Sequence, residues 1–196
     1  MNTDGSKYVS RAGEKLAAAL VAFKIDVSGL VCTDFGSHTG GFVDCLLQQG
    51  AGRVHAVDPG YGIFDFKLRR DPRVVLHERT NALRYLPTEA SELVTLDVGW
   101  TPQRLILPAV LRALTGAGRV ANPGGRAVSL IKPHYEAPRE WLEGGVLPVD
   151  RLAGVLADVR LDAVELGWRI EAEMESPIQG HAGNTEFLWL LTRAAT

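Results

Sequence analysis

The stretch Arg169–Arg193 reads RIEAEMESPIQGHAGNTEFLWLLTR. Residues 169–176 and 184–193 are both strand-like, and only seven residues, PIQGHAG (177–183), join them. A parallel crossover needs a dozen or more residues, usually a helix. This connection is too short, so the final strand must run antiparallel to its neighbour.

The chain upstream follows the opposite rule. Strand-like and helix-like segments alternate: a helix over 9–24, strand 30–36, helix 41–50, strand 53–60, short helix 62–71, strand 73–78, strand 92–99, helix 102–116, strand 125–133 and a long helix over 148–168. In the first helix Leu16, Ala19, Leu20 and Phe23 recur at helical spacing. Alternation of this kind predicts a parallel sheet with helices on both faces. The expected fold is therefore α/β and Rossmann-like: a seven-stranded, mostly parallel sheet with an antiparallel last strand. That ending is the pattern of S-adenosylmethionine-dependent methyltransferases, whereas a dinucleotide-binding domain would usually carry another crossover helix there.

The 196 residues, 46% hydrophobic and 22% charged, suit one domain over 1–196 with a short tail at 1–7. No apolar run approaches the roughly 20 residues needed to span a bilayer, and MNTDGSKYVS has no secretory h-region. Cys32 and Cys45 sit in apolar stretches and read as buried thiols, neither disulfide nor metal site. A reducing cytoplasm is the expected location. The net charge of −2 does not indicate nucleic-acid binding by bulk charge and leaves room for a local basic face.

DFGSHTGGF (34–42) follows the first strand and opens a helix. Gly36, Gly40 and Gly41 would let the backbone turn tightly beside a ligand at a helix N-terminus. An ordinary Gly-rich turn would look the same. Asp58, at the end of the second strand, is what adds meaning. A carboxylate there can accept both ribose hydroxyls of a nucleoside. Asn81 follows the third strand, where it could read an adenine amine or serve only as a turn residue.

VSLIKP (128–133) places an amine at the tip of a buried strand and fixes the exit with proline. In an open α/β sheet ligands sit at the carboxyl ends of the strands. Asp34, Asp58, Asp97 and Lys132 all fall at such ends, and Asp97 and Lys132 should be neighbours. If the last strand pairs beside the fifth, Glu186 approaches the same point. Lys15 interrupts the Ala/Leu-rich face of the first helix, where a snorkelling surface lysine is the plain alternative.

YVSRAGEKL (8–16), DFGSHTGGF, AVDPGYG (56–62), ERTNALRYL (78–86), LDVGW (96–100), IKPHYE (131–136), EGGV (143–146) and GNTEFL (183–188) occur in the order seen in the TlyA, or haemolysin-A-type, proteins. The chain resembles that family of FtsJ-like RNA 2′-O-methyltransferases over residues 7–192. The resemblance implies a Lys-Asp-Lys-Glu tetrad, matching Lys15, Asp97, Lys132 and Glu186. It implies S-adenosyl-L-methionine as cofactor, with Gly40, Phe42, Asp58, Asn81 and Asp97 in contact. With the rest of the loop, the expected cofactor set is Gly36, Ser37, Gly40, Gly41, Phe42, Asp58, Asn81 and Asp97. Lys132 would take the proton of a ribose 2′-hydroxyl. Lys15 would be a second cation, and Asp97 and Glu186 would orient and balance the pair.

The family usually begins with a small RNA-binding S4 domain, whereas only about seven residues precede Tyr8 here. The expected partner is RNA, ribosomal in the family, and a separate RNA-binding partner protein could supply the missing affinity; the oligomeric state is left open. The chain has DVGW (97–100) where the family commonly has DVSF and KPHYE (132–136) where it has KPQFE, so Gly99, Trp100, His134 and Tyr135 depart from the family pattern. FKLRRDPR (66–73) could be an RNA-facing patch or a solvated face. Residues 133–148 are long enough for a lid, and Trp141 could stack on a splayed base or pack on the domain. The competing functions are a methyltransferase-fold protein that binds RNA or cofactor without turnover, a methyltransferase of a non-RNA acceptor, and a membrane-active toxin. The toxin reading lacks a strongly amphipathic basic helix.

Overall fold

Short runs of apolar and β-branched residues, buried on both faces, build the centre of the sheet, as parallel strands require. The computed structural model describes residues 7–116 and 124–193, so most of the tail expected over 1–7 lies outside the described residues. In chain order the elements are α1 (Ala12–Ala22), β1 (Val31–Phe35), α2 (Gly41–Gln48), β2 (Arg53–Val57), α3 (Phe66–Arg69), β3 (Val74–His77), β4 (Leu93–Leu96), α4 (Gln103–Thr115), β5 (Arg126–Ile131), α5 (Pro133–Glu136), α6 (Val149–Glu165), β6 (Trp168–Glu175) and β7 (Phe187–Arg193).

The seven strands form one sheet in the order β3-β2-β1-β4-β5-β7-β6. The pairs among β1 to β5 are parallel. β7 slots between β5 and β6 and runs antiparallel to both. The seven-residue connection therefore does what its length dictates. The register pairs Ile131 with Phe187. Lys132 and Glu186, one residue beyond each, leave the sheet side by side.

Two apolar cores cover the two faces. One gathers Leu16, Phe42, Leu46, Val54 and Leu130 beneath α1 and α2. The other gathers Phe35, Leu96, Ile106, Val110, Ile131 and Trp189 beneath α4 and α6. The junction of α1 and α2 is tight. A Cβ on Gly13 would overlap the Tyr8 side chain and the Gly41 carbonyl, and one on Gly41 would overlap Ser10 Oγ. Only glycine at both positions lets the start of α1 lie against the start of α2, which carries Lys15 to the edge of the sheet.

Most elements are shorter than the sequence suggests, the helices expected over 62–71 and 9–24 most of all. The helix expected over 62–71 is a single turn, because Asp65 caps it through Lys67 N–H at 2.7 Å and the preceding loop is pinned elsewhere. The first helix starts at Ala12 rather than at residue 9.

Trp189 lies at the centre of β7 and is 1% exposed. Trp189→Ala should cost about 3–5 kcal/mol through lost burial and a cavity. Urea unfolding followed by circular dichroism measures it, and a loss under about 1 kcal/mol would mean that β7 is not central to the core.

Candidate active site

The loop after β1 and the ends of β2 and β4 enclose a cavity of about 390 Å³. Asp58 lies in its wall with both carboxylate oxygens already oriented. Oδ2 accepts the His38 N–H at 2.8 Å and Oδ1 the Gly60 N–H at 2.7 Å. Each oxygen keeps a further lone pair for a ribose hydroxyl. Asn81 also lines the cavity, and its Oδ1 accepts the Leu83 N–H at 2.8 Å. The turn role and the ligand role are therefore compatible, since the amide NH₂ stays outside that bond. Phe42, Ala82 and Ile106 give the cavity apolar walls, and Asp97 and Lys132 close its far end. A paired acceptor for a diol, an amide, apolar surface for a flat ring and a carboxylate fit S-adenosylmethionine.

A second cavity, of about 280 Å³, lies beside the first. Lys15, Asp97, Lys132 and Glu186 all line it, together with His134 and Tyr135. Asp97 and Lys132 belong to both cavities. The four charges form two ion pairs: Lys132 Nζ to Asp97 Oδ1 at 2.5 Å and Lys15 Nζ to Glu186 Oε2 at 2.5 Å. The Lys15 side chain is only 11% exposed and that of Glu186 4%. The snorkelling alternative for Lys15 is thus set aside.

Several groups hold this geometry. Glu136 Oε1 accepts the N–H of Gln103, the first residue of α4, at 2.9 Å. Gln103 Oε1 accepts the Ser129 hydroxyl from β5 at 2.9 Å. These bonds tie the segment that follows Asp97 to the one that follows Lys132. Burial pushes the Glu136 carboxyl up from its ordinary 4.5 to about 7, against the pull of the Gln103 N–H and of Arg104. Asp34 is fully buried, accepts the Thr95 hydroxyl at 2.6 Å, and is likewise raised to about 7 by burial. On the opposite wall, a Cβ on Gly180 would overlap the Glu186 carboxylate, so only glycine leaves room for it.

Of the expected cofactor residues, Gly36, Ser37, Gly41, Phe42, Asp58, Asn81 and Asp97 line the first cavity. Gly40 does not; it turns the chain into α2 at φ 99°, backed by Phe64 and Leu68. Asp34 is not in the cavity wall either. Trp141 packs against the second core beneath the Arg151 guanidinium, so the packing alternative holds. The 133–148 segment carries two helical turns and a Glu143–Val146 bridge, and the Leu147 N–H is bound by Asn184 Oδ1 at 3.1 Å. In the 66–73 run, Arg69 pairs with Glu78 and Arg73 with Asp71, which neutralises half of the arginines and lysines that would face RNA. Sequence reasoning missed the rim residues Ser10 and Ala12, shared by both cavities, and the Glu136–Gln103 link. A glycine in PIQGHAG was the one available hint of the Gly180 contact.

Residues 8–193 match the family model described as FtsJ-like methyltransferase. The 16S/23S rRNA (cytidine-2′-O)-methyltransferase TlyA of Mycobacterium tuberculosis is 42% identical, the match covering 97% of this chain and 71% of that protein. Hemolysin A of Brachyspira hyodysenteriae is 38% identical over 93% of this chain and 75% of its own length. A solved structure from Streptococcus thermophilus that carries a hemolysin name superposes with a TM-score of 0.90 at 36% identity, covering 99% of this chain and 70% of that one. Among the described residues no helix is long and apolar enough to cross a membrane.

The raised carboxyls fix a pH dependence. The folded state holds protons on Glu136 and Asp34 that the unfolded chain releases near its ordinary values. Their contribution is therefore fully present below about pH 4 and is lost as pH rises through about 7. Glu136→Gln should flatten the fall in unfolding free energy between pH 5 and 8 by up to about 3 kcal/mol. Urea titrations at the two pH values check it, and an unchanged slope would place the Glu136 carboxyl in water.

Proposed function

The chain belongs to the FtsJ-like methyltransferase family, and from that premise we propose that it methylates a ribose 2′-hydroxyl of RNA, with ribosomal RNA as the substrate class. It is an S-adenosylmethionine-dependent enzyme. Its relatives named as rRNA cytidine-2′-O-methyltransferases support the acceptor. One structural observation supports the reaction centre: a single ion pair, Lys132–Asp97, lines both the nucleoside-shaped cavity and the cavity beside it.

Bound in the first cavity, S-adenosylmethionine supplies an electrophilic methyl on a sulfonium. Asp58 accepts the ribose hydroxyls of the cofactor, and Asn81 lies within the same wall. The acceptor ribose enters the second cavity. Were the methyl to pass to its oxygen, with the sulfur–methyl bond breaking to leave a thioether, the 2′-hydroxyl proton would pass to the Lys132 amine, which must first have released the proton of its ion pair with Asp97 to solvent. Asp97 then faces the ammonium so formed and stabilises it. The Lys15–Glu186 pair stands across the cavity and fixes the acceptor's orientation. Proton transfer of this kind contributes about 10²–10⁴-fold.

The test is methyl transfer from radiolabelled S-adenosylmethionine to total RNA from cells lacking the protein. Lys132→Ala should lose about 10²–10⁴-fold in rate and still bind cofactor. Full transfer by that variant would sink the assignment. Lys15→Ala should in addition lose stability, by about 3 kcal/mol or more, because Glu186 is left as a buried unpaired carboxylate. Asp58→Ala should weaken cofactor binding, measured calorimetrically, with the fold intact. Unchanged affinity would remove Asp58 from the cofactor site.

A further inference from the structure

Past His134 and Tyr135 the acceptor cavity continues into a third concavity of about 470 Å³, which shares those two residues with it. Trp100, Arg104 and Arg139 contribute to its walls. Trp100 is 60% exposed, although a large aromatic gains most from burial. Its backbone sits at φ 55°, a left-handed conformation that bulky side chains rarely adopt. Such strain marks functional positions when the surroundings enforce it. Here the Trp100 ring stacks on Tyr135, with centroids 4.2 Å apart and planes 31° from parallel. The Arg139 guanidinium lies over the same ring at 5.2 Å. Among the described residues neither Arg104 nor Arg139 forms an ion pair. Among the described residues of the wall Glu136 is the one carboxylate; its Oε1 accepts the Gln103 N–H, and Arg104 acts on it through charge without a direct ion pair.

An exposed aromatic column flanked by two arginines is the chemistry that holds one unpaired nucleotide: a ring face for the base and guanidinium groups for the phosphate. The chain as a whole carries a net charge of −2, so any phosphate attraction must be local. Continuity with the acceptor cavity fixes which nucleotide this is. We propose that the concavity binds the nucleotide adjoining the methylated one, with its base on Trp100 and its phosphate between Arg104 and Arg139. The proposal rests on the RNA reading given above. Arg139 holds the place of the base in the free protein and turns to the phosphate when RNA arrives. The site reads the splayed single-stranded context of the target rather than its identity, since every base offers a π-face.

The experiment compares oligocytidylates of one to four nucleotides on the cofactor-saturated protein, by calorimetric binding and by methyl transfer. For the wild type, lengthening from one nucleotide to two should tighten binding about 10-fold. Trp100→Ala and the double variant Arg104→Ala/Arg139→Ala should abolish that gain and leave mononucleotide and cofactor affinities unchanged. Trp100→Phe should keep most of it. The subsite is overturned if the wild type shows no gain with length, or if the variants keep it. It is also overturned if Trp100→Ala weakens the mononucleotide as much as the longer ligands, because the ring would then serve the acceptor itself. A wild type that shows the gain but transfers methyl to no RNA would overturn the acceptor reading and leave the subsite standing.

Discussion

The contact between Lys132 and Asp97, 2.5 Å apart, couples two cavities that would otherwise be separate surface features. It exists because two parallel strands, β4 and β5, end side by side and each is followed by a charged residue. In water such a pair would contribute little. At this rim it is partly shielded, with the lysine side chain 15% exposed and the aspartate 21%, so its geometry persists while solvent and ligands can still reach it. The proton transfer proposed for Lys132 would need that compromise. A deeper position would hinder exchange, and a freer one would lose orientation.

Much of the fold beyond the central sheet serves to hold that contact. The antiparallel insertion of β7 beside β5 sets Glu186 next to Lys132 in sequence register, but Glu186 takes Lys15 as its partner. Each cation thus has its own carboxylate, and the cavity wall is close to neutral. Lys15 reaches Glu186 only because Gly13 and Gly41 permit close approach of α1 and α2, and Glu186 keeps its place only because Gly180 has no side chain. Across the rim, the Glu136–Gln103 bond locks together the two segments that leave β4 and β5. The site is therefore assembled from four separate parts of the chain, and a single glycine or carboxyl decides each junction.

What the sequence could disclose follows from that arrangement. The seven-residue connection 177–183 fixes strand direction by length alone, and strand-end placement singles out Asp34, Asp58, Asp97 and Lys132 without any three-dimensional knowledge, although Asp34 is buried away from the cavity wall. Lys15 is different. Its burial depends on a helix–helix junction set by glycines far apart in sequence, so from periodicity it looks like a surface lysine, and only the family resemblance raised it. Gly40 is different again: a glycine-rich loop marks close backbone approach, and at Gly40 a Cβ would meet the protein's own Phe64 and Leu68. The Glu136–Gln103 bond joins residues 33 apart through a backbone N–H, and no side-chain pattern encodes that.

The fate of the basic run 66–73 bears on the proposed RNA reading. By composition it is the most basic stretch of the chain, yet Glu78 takes Arg69 in two bonds and also accepts the Gly62 N–H, and Asp71 takes Arg73. Those charges brace the loop next to Asp58. The Arg69 pairing holds the Glu78 carboxyl near 2, so the brace stays charged at any pH the enzyme would meet. Cationic groups that brace a cofactor loop are not available to phosphate. Near the proposed acceptor cavity the arrangement reverses: Arg139 rests on an aromatic ring rather than on a carboxylate. An arginine held by a π-face gives up less on turning to phosphate than one held by an ion pair. On the proposed reading, a chain with a net charge of −2 would engage RNA through local cations such as Arg139 rather than through its bulk charge.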